Sequence, residues 1–186
     1  DAIAPAITSA TSSALCEPGN ERESGPPCSA FRPKSVRTTP GETVFYVLTL
    51  ALAAEALGAD NVVGITMPSS FSSSGSVTDS EALARNLGIT LLNHPIHGAV
   101  DALKAQFADS FGAAMQGLTL ENLQARVRGT ILMAYSNANG HLLLTTGNKS
   151  EVSVGYCTLY GDTNGGLGLI GDLYKTEVFA LSRHLN

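Results

Sequence analysis

The chain has 186 residues, of which 44% are hydrophobic and 15% charged, and its formal net charge is −5. That length holds one domain with a real core, and the composition fits a globular α/β protein rather than a disordered or fibrous one. The negative balance disfavours a general footprint for nucleic acid, and no run approaches the roughly 18 apolar residues of a membrane span.

Residues 1–42 are rich in Ser, Thr, Pro and Gly, with Pro26, Pro27 and Pro33 and no sustained apolar period. They are predicted to be a separate, disordered or poorly packed segment without a strand. No basic start of a secretory signal is visible in residues 1–15, and Cys16, Cys28 and Cys157 form neither a disulfide framework nor a metal-binding spacing. A reducing cytoplasm is the expected compartment.

From residue 43 to residue 186 helices and strands alternate. Val44–Leu57 reads as a buried helix ended by Gly58. Asn61–Met67 is an apolar strand stopped by Pro68, and Ser69–Ser76 is a serine-rich loop expected to be mobile. Thr78–Glu81 is a capping box that opens a helix to Leu87, with Gly88 after it. Ile89–Leu92 is the next strand, and Ala99–Phe111 the next helix. Leu120–Asn137 is a longer helix, with Leu123, Val127, Ile131, Leu132 and Tyr135 on roughly one face and Gly140 closing it. His141–Thr145 is a third strand, followed by a helix over Asn148–Val154. Asp162–Gly168 is a glycine-rich loop, and Lys175–Leu185 is the last helix.

Strands separated by helices of this length predict a parallel sheet covered by helices on both faces. In such sheets ligands bind beyond the carboxyl ends of the strands. Three loops fall there: Pro68–Ser76, the segment after Leu92, and Thr145–Glu151.

The third loop carries the most chemistry. Thr145, Thr146 and Gly147 end the strand, and Asn148, Lys149, Ser150 and Glu151 open the helix. Unpaired N–H groups and the helix dipole attract phosphate at such a corner, and a carboxylate in the same turn can hold magnesium against it. Asn148 and Glu151 equally fit a capping box, in which each side chain serves the other residue's backbone N–H. Both readings of the corner stand on local chemistry.

Asn122 and Arg126 are four residues apart and share one helix face. An amide and a guanidinium so placed can hold a carboxylate, a ribose or a phosphate. The alternative is a solvated polar face on which Glu121 and Arg128 pair with neighbouring charges. Lys175 follows the glycine-rich loop, where it serves either to close over phosphates or as a surface lysine. His94, His97, His141 and His184 show no metal-ligand spacing, and of these His94 and His97 flank a strand end. Neither a Gly-x-Gly-x-x-Gly motif, nor a Walker A lysine, nor a Gly-x-Ser-x-Gly elbow occurs.

Taken together, several segments resemble the synthetase domain of NAD synthetases, and most closely that of the glutamine-dependent branch. They are Met67–Ser69, the run from Glu121 to Gly129, the run from Thr145 to Glu151, Gly155–Tyr156 and Thr158–Asp162. The resemblance covers about Val44 to Asn186. It implies a Rossmann-like fold of the ATP-pyrophosphatase type, usually with a homodimeric core, so a homo-oligomer is expected of the intact enzyme. It implies a ligase that adenylates deamido-NAD with ATP and Mg²⁺ and then amidates it with ammonia. In the glutamine-dependent branch that ammonia comes from a glutaminase domain. Carried over by position, Thr146 and Lys175 would contact ATP. Glu151 would bind metal and lie near deamido-NAD, and Asn122 and Arg126 would contact deamido-NAD. Glu151 and Lys175 would then act in catalysis.

This family also has a Ser-Gly-Gly-x-Asp-Ser loop after its first strand, which wraps the ATP pyrophosphate. Extending the Leu48–Gly58 alignment without gaps puts Gly41–Tyr46 there, without the Gly-Gly or Asp-Ser chemistry. Phe31–Arg37 stands where the apolar first strand is expected, and the sequence stops where the family usually continues. The sequence therefore predicts a sheet short of its first strand and of its C-terminal part. It leaves three functional readings: part of a synthetase whose ligase activity belongs to the intact protein, a non-catalytic nucleotide-binding module of the same fold, or another ATP-pyrophosphatase amidating enzyme.

Overall fold

Strand β3 (Val62–Thr66) organises the sheet, and all five of its residues are buried. In a computed structural model, which describes residues 6–9, 12–15, 43–70, 72 and 74–185, β3 pairs in parallel with β4 (Thr90–Asn93). Further across the sheet, β5 (Leu142–Thr145) pairs in parallel with the two-residue β6 (Leu167–Gly168). Two short strands, β1 (Ala6–Ser9) and β2 (Ser12–Leu15), complete the order β4-β3-β2-β1-β5-β6, with a direct pairing of β3 and β1 as well.

These two strands correct the expectation that residues 1–42 hold none. Strand β1 runs parallel to both β3 and β5, with Ile7 opposite Val63 on one side and Leu143 on the other. A strand therefore does lie between β3 and β5, where the sequence predicted a gap. Strand β2 is antiparallel to β1 and to β3. The physical reason is backbone accounting. The facing edges of β3 and β5 carry N–H and C=O groups that need partners, and a four-residue segment supplies a row of them. Four residues are too few to establish the alternation by which a strand is read from sequence. The rest of the N-terminal segment, including Phe31–Arg37 and Gly41, lies outside the described residues.

Six α-helices are described: α1 (Thr43–Leu57), α2 (Ser74–Leu87), α3 (His97–Phe111), α4 (Leu118–Asn139), α5 (Lys149–Val154) and α6 (Lys175–Leu185). Most match the predicted spans to within two residues. Helix α2 does not: it begins at Ser74, a full turn before the capping box at Thr78. The loop expected to span Ser69–Ser76 is shorter, and part of it is a local turn in which the Ser69 N–H donates to Ser72 Oγ at 2.9 Å. Within α2 the Ser80 hydroxyl donates back to the Ser76 carbonyl at 2.8 Å, so serine hydroxyls meet their own helix rather than breaking it.

The two faces of the sheet separate the helices. Val62 and Leu144 pack with Leu50 and Ala54 of α1 and with Leu83 and Leu87 of α2. Their sequence neighbours Val63 and Leu143 turn the other way, to Val100 of α3 and to Val127 and Leu132 of α4. Strands buried on both faces read as continuous apolar runs, because neither set of alternate residues meets water. Helix α1 is itself covered on a second side. Val44, Phe45 and Leu48 meet Ile170 and Val178, and both of those are fully buried. That contact ties α6 to α1, and it explains why α1 is apolar almost all round.

Candidate functional site

The corner after β5 is a capped helix start. Asn148 has an extended backbone, and its Oδ1 accepts from the Glu151 N–H at 3.1 Å. In return the Asn148 N–H donates to Glu151 Oε2 at 3.1 Å. The predicted capping box is therefore present. Asn148 is fully buried, and its Nδ2 finds no hydrogen-bond partner among the described residues. Leaving such a donor unmet costs about 1–3 kcal/mol.

The segment before α6 closes onto this corner. The Leu173 carbonyl accepts from the Lys149 N–H at 2.9 Å, and the Lys175 N–H donates to Ser150 Oγ at 3.0 Å. The start of α6 is thus fixed to the start of α5. The Lys175 ammonium sits over the Phe45 ring, 5.6 Å from its centroid. Lys149 lies over the Tyr174 ring in the same way, at 4.7 Å. Contacts of this kind hold a cation without neutralising it.

Thr146 and Glu151 open onto a cleft of about 560 Å³ at the carboxyl end of β5. Phe45 and Tyr46 form part of its wall, and Ser76 of α2 reaches it. The opposite lining comes from α4, through Arg128 and Gly129, and from the loop that carries Asp162 and Asn164. Of the three loops expected at the strand ends, the one after β4 contributes nothing to this cleft. His94 and His97 are exposed and lie outside it.

Asn122 and Arg126 also lie outside the lining. They share the predicted helix face, and that face is occupied by the loop from Thr158 to Asn164. The Thr158 hydroxyl donates to Asn122 Oδ1 at 2.7 Å, and Arg126 Nε donates to the Leu159 carbonyl at 3.2 Å. The loop is also braced from within, because the Thr158 N–H donates to Asp162 Oδ2 at 2.9 Å. Two glycines allow the close approach. A Cβ on Gly129 would stand 2.9 Å from Asn164 Nδ2 and 3.0 Å from the Tyr160 carbonyl oxygen. A Cβ on Gly161 would stand 2.9 Å from both the carbonyl carbon and the Cβ of Ala125.

Arg128 corrects the reading of α4 as a solvated ionic face at that position. Its side chain turns inward and Nε donates to the Met67 carbonyl, at the end of β3, at 3.2 Å. Burial lowers the basicity of this guanidinium, and the Asp162 carboxylate acts in the opposite sense. Arg128 and Asp162 are the charged cleft residues whose place there sequence reasoning missed. A signal existed for Arg128: it is four residues after Gln124, which is buried, so the two share an inward face. For Asp162 the only signal was its place in the Thr158–Asp162 segment.

Helices on both faces of a largely parallel sheet, with a cleft at a strand's carboxyl end and a helix opening beside it, define a Rossmann-like α/β domain. The NAD synthase family model matches residues 47–186. Glutamine-dependent NAD(+) synthetases of Synechocystis sp. and Acinetobacter baylyi are 54% and 50% identical over 139 residues, which is 75% of this chain. Those residues are 25% and 26% of the two relatives, so the chain spans about a quarter of their length. Among solved structures, the glutamine-dependent NAD+ synthetase of Acinetobacter baumannii in complex with ADP aligns with a TM-score of 0.73 and 47% identity, covering 76% of this chain and 27% of that one. An NH3-dependent NAD synthetase from Campylobacter jejuni aligns with a TM-score of 0.69 and 33% identity, covering 77% and 60%. This chain belongs to the NAD synthase family.

Proposed function

We propose that the chain is the nucleotide-handling part of an NAD+ synthase, a carbon–nitrogen ligase that amidates deamido-NAD at the expense of ATP. The capped corner from Thr145 to Glu151 carries this reading, because it sets a hydroxyl, a carboxylate and a helix start in one cleft. The Acinetobacter baumannii relative is in complex with ADP, which supports a nucleotide as the ligand.

In the proposed reaction the nicotinate carboxylate attacks the α-phosphorus of ATP, the Pα–O–Pβ bond breaks, and pyrophosphate leaves. Ammonia then attacks the acyl carbon, AMP departs, and the nitrogen loses a proton to give the amide. Thr146 would hydrogen-bond ATP, and Lys175 would offset charge on the leaving phosphates. Asn122 and Arg126 would contact deamido-NAD, with Glu151 close by. In the intact enzyme a glutaminase domain would supply ammonia, and the enzyme would be a homo-oligomer.

Magnesium would be held through Glu151, which reaches the cleft with a carboxylate. The described residues contain no group of three or more His, Cys, Asp or Glu side chains able to hold a metal. A single carboxylate fits magnesium, which usually takes one or two together with phosphate oxygens and water. When bound, the ion would neutralise phosphate charge. No described helix is long and apolar enough to cross a membrane, and we place the reaction in the cytoplasm.

A second reading, a non-catalytic nucleotide-binding module, is favoured by one observation. Phe45, which forms part of the cleft wall, is buried against Phe179 at a ring separation of 6.4 Å, so that stretch of the wall offers a phosphate an aromatic ring rather than hydrogen-bond donors. Incubation with ATP, Mg²⁺, deamido-NAD and ammonium, followed for pyrophosphate and NAD, separates the two. Turnover supports the ligase, whereas nucleotide binding without turnover supports the module.

A further inference from the structure

The described cleft has one guanidinium in its lining, and its protein contacts leave most of it unspent. Arg128 Nε is held by the Met67 carbonyl, which fixes the plane of the group. No described residue accepts a hydrogen bond from Nη1 or Nη2. Asp162 acts on Arg128 electrostatically without forming an ion pair, while its Oδ2 is engaged by the Thr158 N–H. A planar fork held at one nitrogen is pre-organised for a pair of anionic oxygens.

We propose that Arg128 is a phosphate-binding residue of this cleft, taking two oxygens of one nucleotide phosphate through Nη1 and Nη2 while Nε stays on the Met67 carbonyl. The proposal rests on the nucleotide reading given above. The phosphate comes either from ATP or from the dinucleotide, both of which carry the same chemistry. Glu151 and Asp162 share the lining with Arg128, so the lining holds two carboxylates and one guanidinium. That balance disfavours a bare polyphosphate, and a divalent cation arriving with the ligand offsets it. Arg128 also joins α4 to the carboxyl end of β3 and lies beside the Asp162 loop, so the phosphate is set by three elements at once. A lysine in its place supplies charge but no fork.

The test is equilibrium binding of adenosine, ADP and deamido-NAD to the full chain with Mg²⁺, for the wild type, Arg128→Gln and Arg128→Lys. Loss of a charge-assisted pair weakens binding by roughly tenfold to a hundredfold. In Arg128→Gln that loss is expected for ADP, for deamido-NAD or for both, with adenosine unchanged. The ligand that loses affinity identifies the source of the phosphate. Arg128→Lys is expected to lose part of it. Equal affinities in the wild type and Arg128→Gln overturn the proposal and leave the nucleotide site standing. A matching loss for adenosine also overturns it, since that reports only a structural role. A wild type that binds none of the three removes the nucleotide reading and this proposal with it. Should Arg128→Gln fail to melt cooperatively, Arg128→Lys decides, by whether ADP or deamido-NAD is weakened relative to adenosine.

Discussion

Replacing Gly129 with alanine opposes two effects of similar size. Alanine in the interior of an exposed helix is favoured over glycine by about 1 kcal/mol. At Gly129, which is buried, the new methyl meets Asn164 Nδ2 at 2.9 Å, the Tyr160 carbonyl oxygen at 3.0 Å and the Gly161 carbonyl oxygen at 3.3 Å. The asparagine amide can swing away, but two backbone oxygens of a braced loop cannot move independently. Overpacking of this kind costs roughly 1–3 kcal/mol. If the loop retreats instead, the bonds from Thr158 to Asn122 and from Arg126 to Leu159 lengthen, and each is worth about 1 kcal/mol. Overpacking at least offsets the helix gain and the loop's retreat exceeds it by about 1 kcal/mol, for a net loss of up to about 2 kcal/mol. For a chain of this size that lowers Tm by up to roughly 8 °C. Differential scanning calorimetry of the wild type and Gly129→Ala measures it. A rise in Tm would refute the reasoning, because it would mean that nothing rests against this face of α4.

Other outcomes follow from the same geometry. Asn148→Ala removes the helix cap and is expected to lose about 1 kcal/mol by denaturant titration, the usual worth of such a cap; no change would mean that the orphaned Nδ2 offset the cap entirely. Ile170→Ala empties a fully buried site between α1 and α6 and is expected to cost about 2–5 kcal/mol, against about 0.5–1.5 for Ile170→Val. Because Ile170 helps fix the approach to Lys175, its alanine variant should also weaken ADP binding, and calorimetric titration would show an unchanged affinity if α6 plays no part. Glu151→Gln should abolish the Mg²⁺ dependence of ADP binding while keeping the cap acceptor at Asn148, and a retained Mg²⁺ dependence would place the ion elsewhere.

Local rules made much of this protein legible. Strand β3 could be read because a segment buried on both faces must be apolar throughout, and the start of α5 because Asn148 and Glu151 cap each other at fixed spacing. Helix α1 was equally plain, since burial against both the sheet and α6 leaves little room for polar residues. The shared face of Asn122 and Arg126 follows from helix geometry alone. What they touch does not: the Thr158 hydroxyl and Leu159 carbonyl that meet them are 36 and 33 residues away. Nor could sequence tell that Arg128 bonds Met67, 61 positions distant, rather than a neighbouring charge on its own helix. Strand β1 escaped for a related reason. Four residues carry almost no periodic signal, and their pairing is fixed by the open edges of β3 and β5. Strand β3, the longer helices other than the start of α2, the cap of α5 and the family could all be read from sequence, because they depend on residues within a few turns of each other. Which side chains share the cleft is a matter of the folded chain, because it depends on which distant backbones approach closely enough to bond, as α4 and the Thr158–Asn164 loop do at Gly129 and Gly161.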